Sequence, residues 1–233
     1  MNKDLFLSEL NARGIVLSDE QFNLVLSIMD ETLLANEQFN LTAIKDKDEF
    51  LEKMVFDSAL ALIGNDLTGK EVLDFGTGAG FPGLILYAIN PSIKLTLLDS
   101  NSKKIHYLNE LCKKYNLNIK CVNSRGEEYS KLHKEEYDFV IARAVTQLNI
   151  LMEISTPLIK VGGCLIAMKG LNYEQEINLS KKAFKELNCS IECIYEDKLP
   201  SNNDKRAIIY IKKNGSTKLK YPRDYSTIKR KPL

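Results

Sequence analysis

Asp74, Gly76, Gly78, Gly80 and Gly83 fall within EVLDFGTGAGFPG, residues 71–83, and their spacing is that of a binding loop. Glycine loses more conformational freedom on folding than any other residue. A cluster of this density marks a place where positive φ is needed or where another group must come very close. Val72 and Leu73 ahead of the glycines read as a strand. Pro82 reads as the first helical position, where its missing N–H has no partner to lose. A strand, a tight turn and a helix start offer unpaired N–H groups to a nucleotide or a carboxylate. Glycines alone do not separate this from an ordinary strand-to-helix turn, so the surrounding residues must decide.

In an open α/β sheet, ligands lie beyond the carboxyl ends of the strands, where the strand order reverses. Asp99 ends the run Lys94–Leu98 about twenty residues after the glycines, where its carboxylate is placed to accept from ribose hydroxyls. The competing role is a helix N-cap, which Ser100 or Ser102 would fill as well. Arg125-Gly126-Glu127, Ala142-Arg143-Ala144 and Lys169-Gly170 stand at later strand ends. Gly78, Gly80 and Gly83 also fit G-x-G-x-x-G, which keeps a nicotinamide-dependent oxidoreductase open. The Asp-x-Gly-x-Gly-x-Gly register from Asp74 is closer to the cradle of S-adenosylmethionine enzymes.

The elements that must position these residues follow from periodicity. Ser18 and Gln21 form a capping box ahead of Phe22, Val25, Leu26, Met29 and Leu33, predicting a helix over 19–37. Shorter helices are expected over 4–11 and 47–63, with a loop at Asn40–Ile44 between the second and third. From Glu71 the pattern becomes alternating strands and helices, which argues for a mostly parallel sheet covered on both faces. Strands are expected at 72–75, 94–99, 119–123, 137–142 and 164–169, with helices near 82–89, 101–115, 147–158 and 173–187. Residues 191–199 and 206–212, joined by Pro200-Ser201-Asn202-Asn203, read as an antiparallel hairpin. Nicotinamide-binding sheets stay parallel, whereas this ending is typical of methyl-transfer enzymes.

The glycine stretch, Leu97-Leu98-Asp99-Ser100 with Lys103-Lys104, Asn40–Ile44, Asp57-Ser58, Arg143-Ala144, Lys169-Gly170 and Tyr221-Pro222-Arg223 form an ordered set. In that set the chain resembles the bacterial small-subunit ribosomal RNA guanine-N7 methyltransferases, also called the glucose-inhibited division protein B family, from about residue 20 onward. The resemblance implies a class I S-adenosylmethionine-dependent methyltransferase, a Rossmann-like α/β fold with a seven-stranded sheet closed by the hairpin. The expected organisation is a helical N-terminal extension (1–67), a methyltransferase domain (68–213) and a basic C-terminal tail (214–233). It also implies transfer of a methyl group from S-adenosyl-L-methionine to N7 of a guanine in 16S ribosomal RNA, free or within the small ribosomal subunit. Gly76, Gly78, Phe81, Asp99, Gly126, Glu127 and Arg143 are the expected cofactor contacts, with Arg143 the candidate orienting residue. Lys169, Arg223, Lys229, Arg230 and Lys231 are the expected RNA contacts. Phe56 stands where the family usually has histidine and Ala142 where it usually has serine, and the residues after Arg223 lack the usual glycine and proline. Guanine N7 has a free lone pair, so no general acid or base is assigned.

Composition fits these expectations. Net charge is only +1, yet residues 1–70 hold six Lys/Arg against thirteen Asp/Glu, and residues 212–231 hold eight against one. A basic tail on a neutral chain suggests a polyanionic partner, and a non-catalytic RNA-binding module is the corresponding alternative. The five cysteines show no C-x-x-C spacing, so they read as buried thiols and no metal site is expected. MNKDLFLSEL carries charge and no apolar run, so a cytoplasmic protein without a membrane span is expected; a monomer is the expected state.

Overall fold

The computed structural model describes residues 1–233. Helix α1 spans Lys3–Ala12 and α2 spans Asp19–Phe39. The capping box is present, with Gln21 N–H donating to Ser18 Oγ and Ser18 N–H to Gln21 Oε1. Asn40 ends α2 in the left-handed region at φ 49°, and the loop after it is held by Thr42 N–H donating to Asn36 Oδ1 at 2.8 Å. The helix expected over 47–63 is one rod with changing winding. It runs through α3 (Lys47–Phe50), a π-helical turn (Leu51–Phe56), α4 (Asp57–Ala59) and a 3-10 turn (Leu60–Leu62). The wider turn redirects one bond: Asp57 N–H reaches the carbonyls of Glu52 and Met54 and passes over that of Lys53.

The alternating region comprises β1 (Glu71–Phe75), α5 (Gly83–Ile89), β2 (Lys94–Asp99), α6 (Ser102–Lys114), β3 (Lys120–Asn123), α7 (Gly126–Leu132), β4 (Tyr137–Arg143) and α8 (Leu148–Ser155). It continues through β5 (Ile159–Lys169), α9 (Tyr173–Leu179), α10 (Lys181–Glu186), β6 (Cys189–Lys198), β7 (Lys205–Lys213) and α11 (Tyr225–Arg230). The seven strands form one sheet in the order β3-β2-β1-β4-β5-β7-β6. Strands β1 to β5 pair in parallel, and β7 pairs antiparallel with both β5 and β6, as the hairpin reading requires. Strand β1 lies between β2 and β4, which makes its carboxyl end the switch point.

Side chains alternate across the central strands, as the period of two dictates. Val72, Ile166, Met168, Ile208 and Tyr210 face a core shared with α1, α2, the winding rod, α5 and α6. Leu73, Phe75, Leu165, Ala167, Ile209 and Ile211 face a second core with α8, α10 and the chain beyond β7. The N-terminal helices are therefore one wall of the first core. Their acidic surplus is partly matched across the fold, with Asp57 paired to Arg143 and Arg206, and Glu31 to Lys114.

Several expectations change. Pro82 caps α5 instead of occupying its first turn. Helix α7 was not expected, because its seven residues, GEEYSKL, are too few to show a helical period. The helix expected over 173–187 breaks at Ser180, whose Oγ turns back to the Glu176 carbonyl. Cys112 and Cys164 are buried as expected, whereas Cys121 and Cys189 are half-buried and Cys193, on the edge strand β6, is exposed. The chain beyond β7 is packed: Tyr221, Ile228 and Leu233 are buried in the second core, and α11 lies on α8.

Candidate functional site

The glycine loop is built around Asp74. This side chain is fully buried; its Oδ2 accepts from Thr77 Oγ1 at 2.6 Å and from Gly83 N–H at 2.8 Å, while Oδ1 has no partner. Burial pushes its carboxyl up to about 6, against the pull of those two hydrogen bonds. Gly76 has φ +72°, and a Cβ there would lie 2.8 Å from Val145 Cγ2, so the backbone conformation and the neighbour both demand glycine. Gly76 and Thr77 donate to the Leu98 carbonyl, and Gly78 N–H donates to Asp99 Oδ2 at 2.9 Å, which stitches the loop to the end of β2.

The unpaired N–H groups expected at the helix start are already used. Gly83 donates to Asp74, Leu84 to the Gly80 carbonyl and Ile85 to the Pro82 carbonyl. Within the loop from Gly76 to Phe81, only Ala79 N–H lacks an acceptor in the protein. Asp99 does not cap α6; Asn101 does, accepting from Lys103 and Lys104 N–H. Asp99 Oδ1 instead accepts from Asn101 N–H, and the carboxylate borders open space.

Two cavities meet at the switch point. The larger, about 730 Å³, lies between the glycine loop, the winding rod and the ends of β4, β5 and β7. The smaller, about 230 Å³, lies between the ends of β2 and β3 and the start of α7. Gly76, Asp99, Val145 and Thr146 border both, so together they form one bent trough. The larger arm carries Lys53, Lys104, Arg143, Lys169 and Arg206 against Asp57, Asp99 and Glu176, a basic balance. Phe81 borders this arm and packs edge-on against Phe50. Gly126 and Glu127 border the smaller arm. A Cβ on Gly126 would sit 2.2 Å from Phe75 Cζ, so the close approach of α7 to β1 explains that glycine.

Arg143 is held from the winding rod. Its Nη1 donates to the Lys53 carbonyl at 3.0 Å, the one that the π turn leaves without Asp57 N–H, and to Asp57 Oδ2 at 3.3 Å. Arg206 Nε donates to the other Asp57 oxygen at 3.0 Å, so one nearly buried carboxylate orients two guanidinium groups. Asp57 and Arg206 had no role in the sequence reading, although Asp57-Ser58 was part of the ordered set. Nothing in local sequence ties Arg206 to a helix 149 residues earlier.

Lys169 does not stand free for a phosphate: its side chain is 9% exposed, and Nζ donates to Glu176 and to the Thr146 carbonyl, both at 2.7 Å. Arg223 is likewise engaged inside the fold. Its backbone N–H, Nε and Nη2 all donate to Glu153, a carboxylate with no solvent exposure. Lys229, Arg230 and Lys231 are exposed and carry no ion partner. The trough and the basic end of the chain thus lie on one folded body, with Tyr225 of α11 bordering the smaller arm.

Comparison with known proteins agrees with this geometry. The chain is 38% identical over 238 residues to the ribosomal RNA small subunit methyltransferase G of Oenococcus oeni, covering 100% of this chain and 98% of that protein. The protein of the same name from Bacillus cytotoxicus is also 38% identical, covering 100% of this chain and 99% of its own length. Among solved structures, M. jannaschii TYW2 in complex with AdoMet superposes with a TM-score of 0.54 at 16% identity, covering 67% of this chain and 74% of that one, a likeness of fold. Residues 21–202 match the GidB family, and the chain belongs to that family, rRNA small subunit methyltransferase G.

Proposed function

We propose that the protein transfers a methyl group from S-adenosyl-L-methionine to N7 of a guanine in 16S ribosomal RNA, and that it does so as a cytoplasmic monomer. The observation that carries this reading is the bent trough at the switch point of a chain of this family, with a small arm beside Asp99 and a larger basic arm beside Arg143. Asp99, Gly126 and Glu127 would hold the nucleoside part of the cofactor, while Gly76, Gly78 and the free N–H of Ala79 would meet its amino-acid part. Phe81 backs that arm. The bound cofactor supplies a methyl group on a positively charged sulfur.

Guanine N7 carries its own lone pair, so the chain has no proton to remove before attack and contributes positioning in a basic cleft. Arg143 is the orienting residue: Nη1 and Nη2 are engaged by the winding rod, while Nε makes no hydrogen bond within the protein and is suited to guanine O6. Lys169 fixes the wall of the trough through Glu176. Arg223 anchors the segment that presents Lys229, Arg230 and Lys231 to phosphates, contacts that position RNA without reading its sequence.

Incubation with methyl-labelled S-adenosylmethionine and naked 16S RNA, assembled small subunits or mixed small molecules tests the reading. Label is expected in RNA, at a site cleaved by chemistry specific for N7-methylguanine. Absence of label from every RNA sample overturns it.

A further inference from the structure

The smaller arm has a wall that none of the strand ends supplies. Its apolar lining comes from Phe75, Leu98, Val145 and Ile154, set among polar residues that include Asp99, Ser124 and Arg125, and Tyr225 borders it from α11. Tyr225 reaches this place because anchors flank it on both sides. Arg223 is chelated by Glu153, and Ile228 is fully buried against the second core, so the intervening backbone has little freedom. Tyr225 as a residue is 39% exposed, and its hydroxyl makes no hydrogen bond within the protein.

Apolar side chains interleaved with polar groups, with a partly exposed aromatic residue at the edge and the Asp99 carboxylate beside them, suit a planar heteroaromatic base that carries hydrogen-bonding edges. Resting on the methyl-transfer reading, we propose that Tyr225 packs against the adenine ring of S-adenosylmethionine, so that the segment beyond β7 completes the nucleoside site. The ring's face and edge do this work through stacking and burial, and the hydroxyl contributes little. Tyr225 is thereby a cofactor-affinity residue, distinct from the lysines that follow it.

Calorimetric titration of the full chain with S-adenosylhomocysteine tests this. Tyr225→Ala is expected to weaken binding about tenfold, since stacking of a base on an aromatic ring is generally a contribution of that order. Tyr225→Phe is expected to bind within about twofold of the unsubstituted chain, because it keeps the ring. In the unsubstituted chain, the ring-proton resonances of Tyr225 are expected to shift on addition of S-adenosylhomocysteine, a readout that does not depend on any variant folding. Unchanged affinity in Tyr225→Ala, or an unshifted Tyr225 ring while the ligand binds, overturns the proposal and leaves the methyl-transfer reading standing. Failure of the unsubstituted chain to bind S-adenosylhomocysteine overturns both.

Discussion

Asp74 and Glu153 are both carboxylates buried at the heart of the molecule, one under the glycine loop and one under the segment beyond β7. Glu153 is saturated, with both oxygens taken by Arg223 at 2.5 and 2.7 Å. Asp74 is left with an open oxygen and a carboxyl pushed up by burial. A saturated buried ion pair is a clasp, and breaking it exposes nothing useful. A buried carboxylate with an open oxygen costs stability, and Asp74 holds the glycine loop through Thr77 and Gly83. Glu153 thus anchors the distal segment through Arg223, whereas Asp74 shapes the loop beside the trough, although net charge alone would have given Arg223 to RNA.

The largest effect should come from the clasp. Arg223→Ala leaves Glu153 buried without its cation, and a loss of about 3–5 kcal/mol is expected in denaturant unfolding. A variant with unchanged stability and weakened RNA binding would break the comparison, because Arg223 would then be an RNA contact after all.

Asp74 supplies the next test through pH. Its folded carboxyl near 6 lies above its ordinary value of 3.8, so the folded state holds more protons between these values and stability falls as pH rises through that window. Relative to Asp74→Asn, the unsubstituted chain should lose on the order of 3 kcal/mol between pH 4 and pH 7. Parallel stability profiles for the two proteins would show that Asp74 is satisfied in solution and remove the contrast.

Gly76→Ala should act more locally. Backbone strain at φ +72° and the contact with Val145 are expected to reduce S-adenosylhomocysteine affinity about 10- to 100-fold in calorimetry, with a smaller change in melting temperature. Equal affinity would mean that the loop is only a turn. The smallest effect belongs to Lys229, Arg230 and Lys231: replacing all three with Ala should lower the dependence of log RNA affinity on log salt by about 2 units. An unchanged slope would mean that these three side chains do not meet phosphates.

Much of the cradle was legible before any coordinates. Glycine density, the strand before it and Asp99 located the trough because each depends on neighbours in sequence. The hairpin was legible from strand pattern and turn residues. Helix α7 was too short to show a period, and the Arg223–Glu153 clasp joins residues 70 positions apart, a distance over which sequence pattern carries no pairing information. Lys169 at a strand end is compatible in sequence with a salt bridge or a phosphate contact, and its partner Glu176 comes from α9, which sequence pattern does not pair with it. Of the two readings of Asp99, the structure removes the helix cap, which Asn101 takes.

The π turn at Leu51–Phe56 makes helix length a quantity the site depends on. A chain shortened by one residue there could restore regular α-helical winding and keep its helix content. Yet the Lys53 carbonyl would return to the helical ladder, and Arg143 would lose the nearer of the two acceptors that now hold its Nη1. The extra residue works as a spacer, setting the angle at which a guanidinium meets the cleft. A deletion of this kind would leave circular dichroism unchanged while it turned Arg143 away from the cleft.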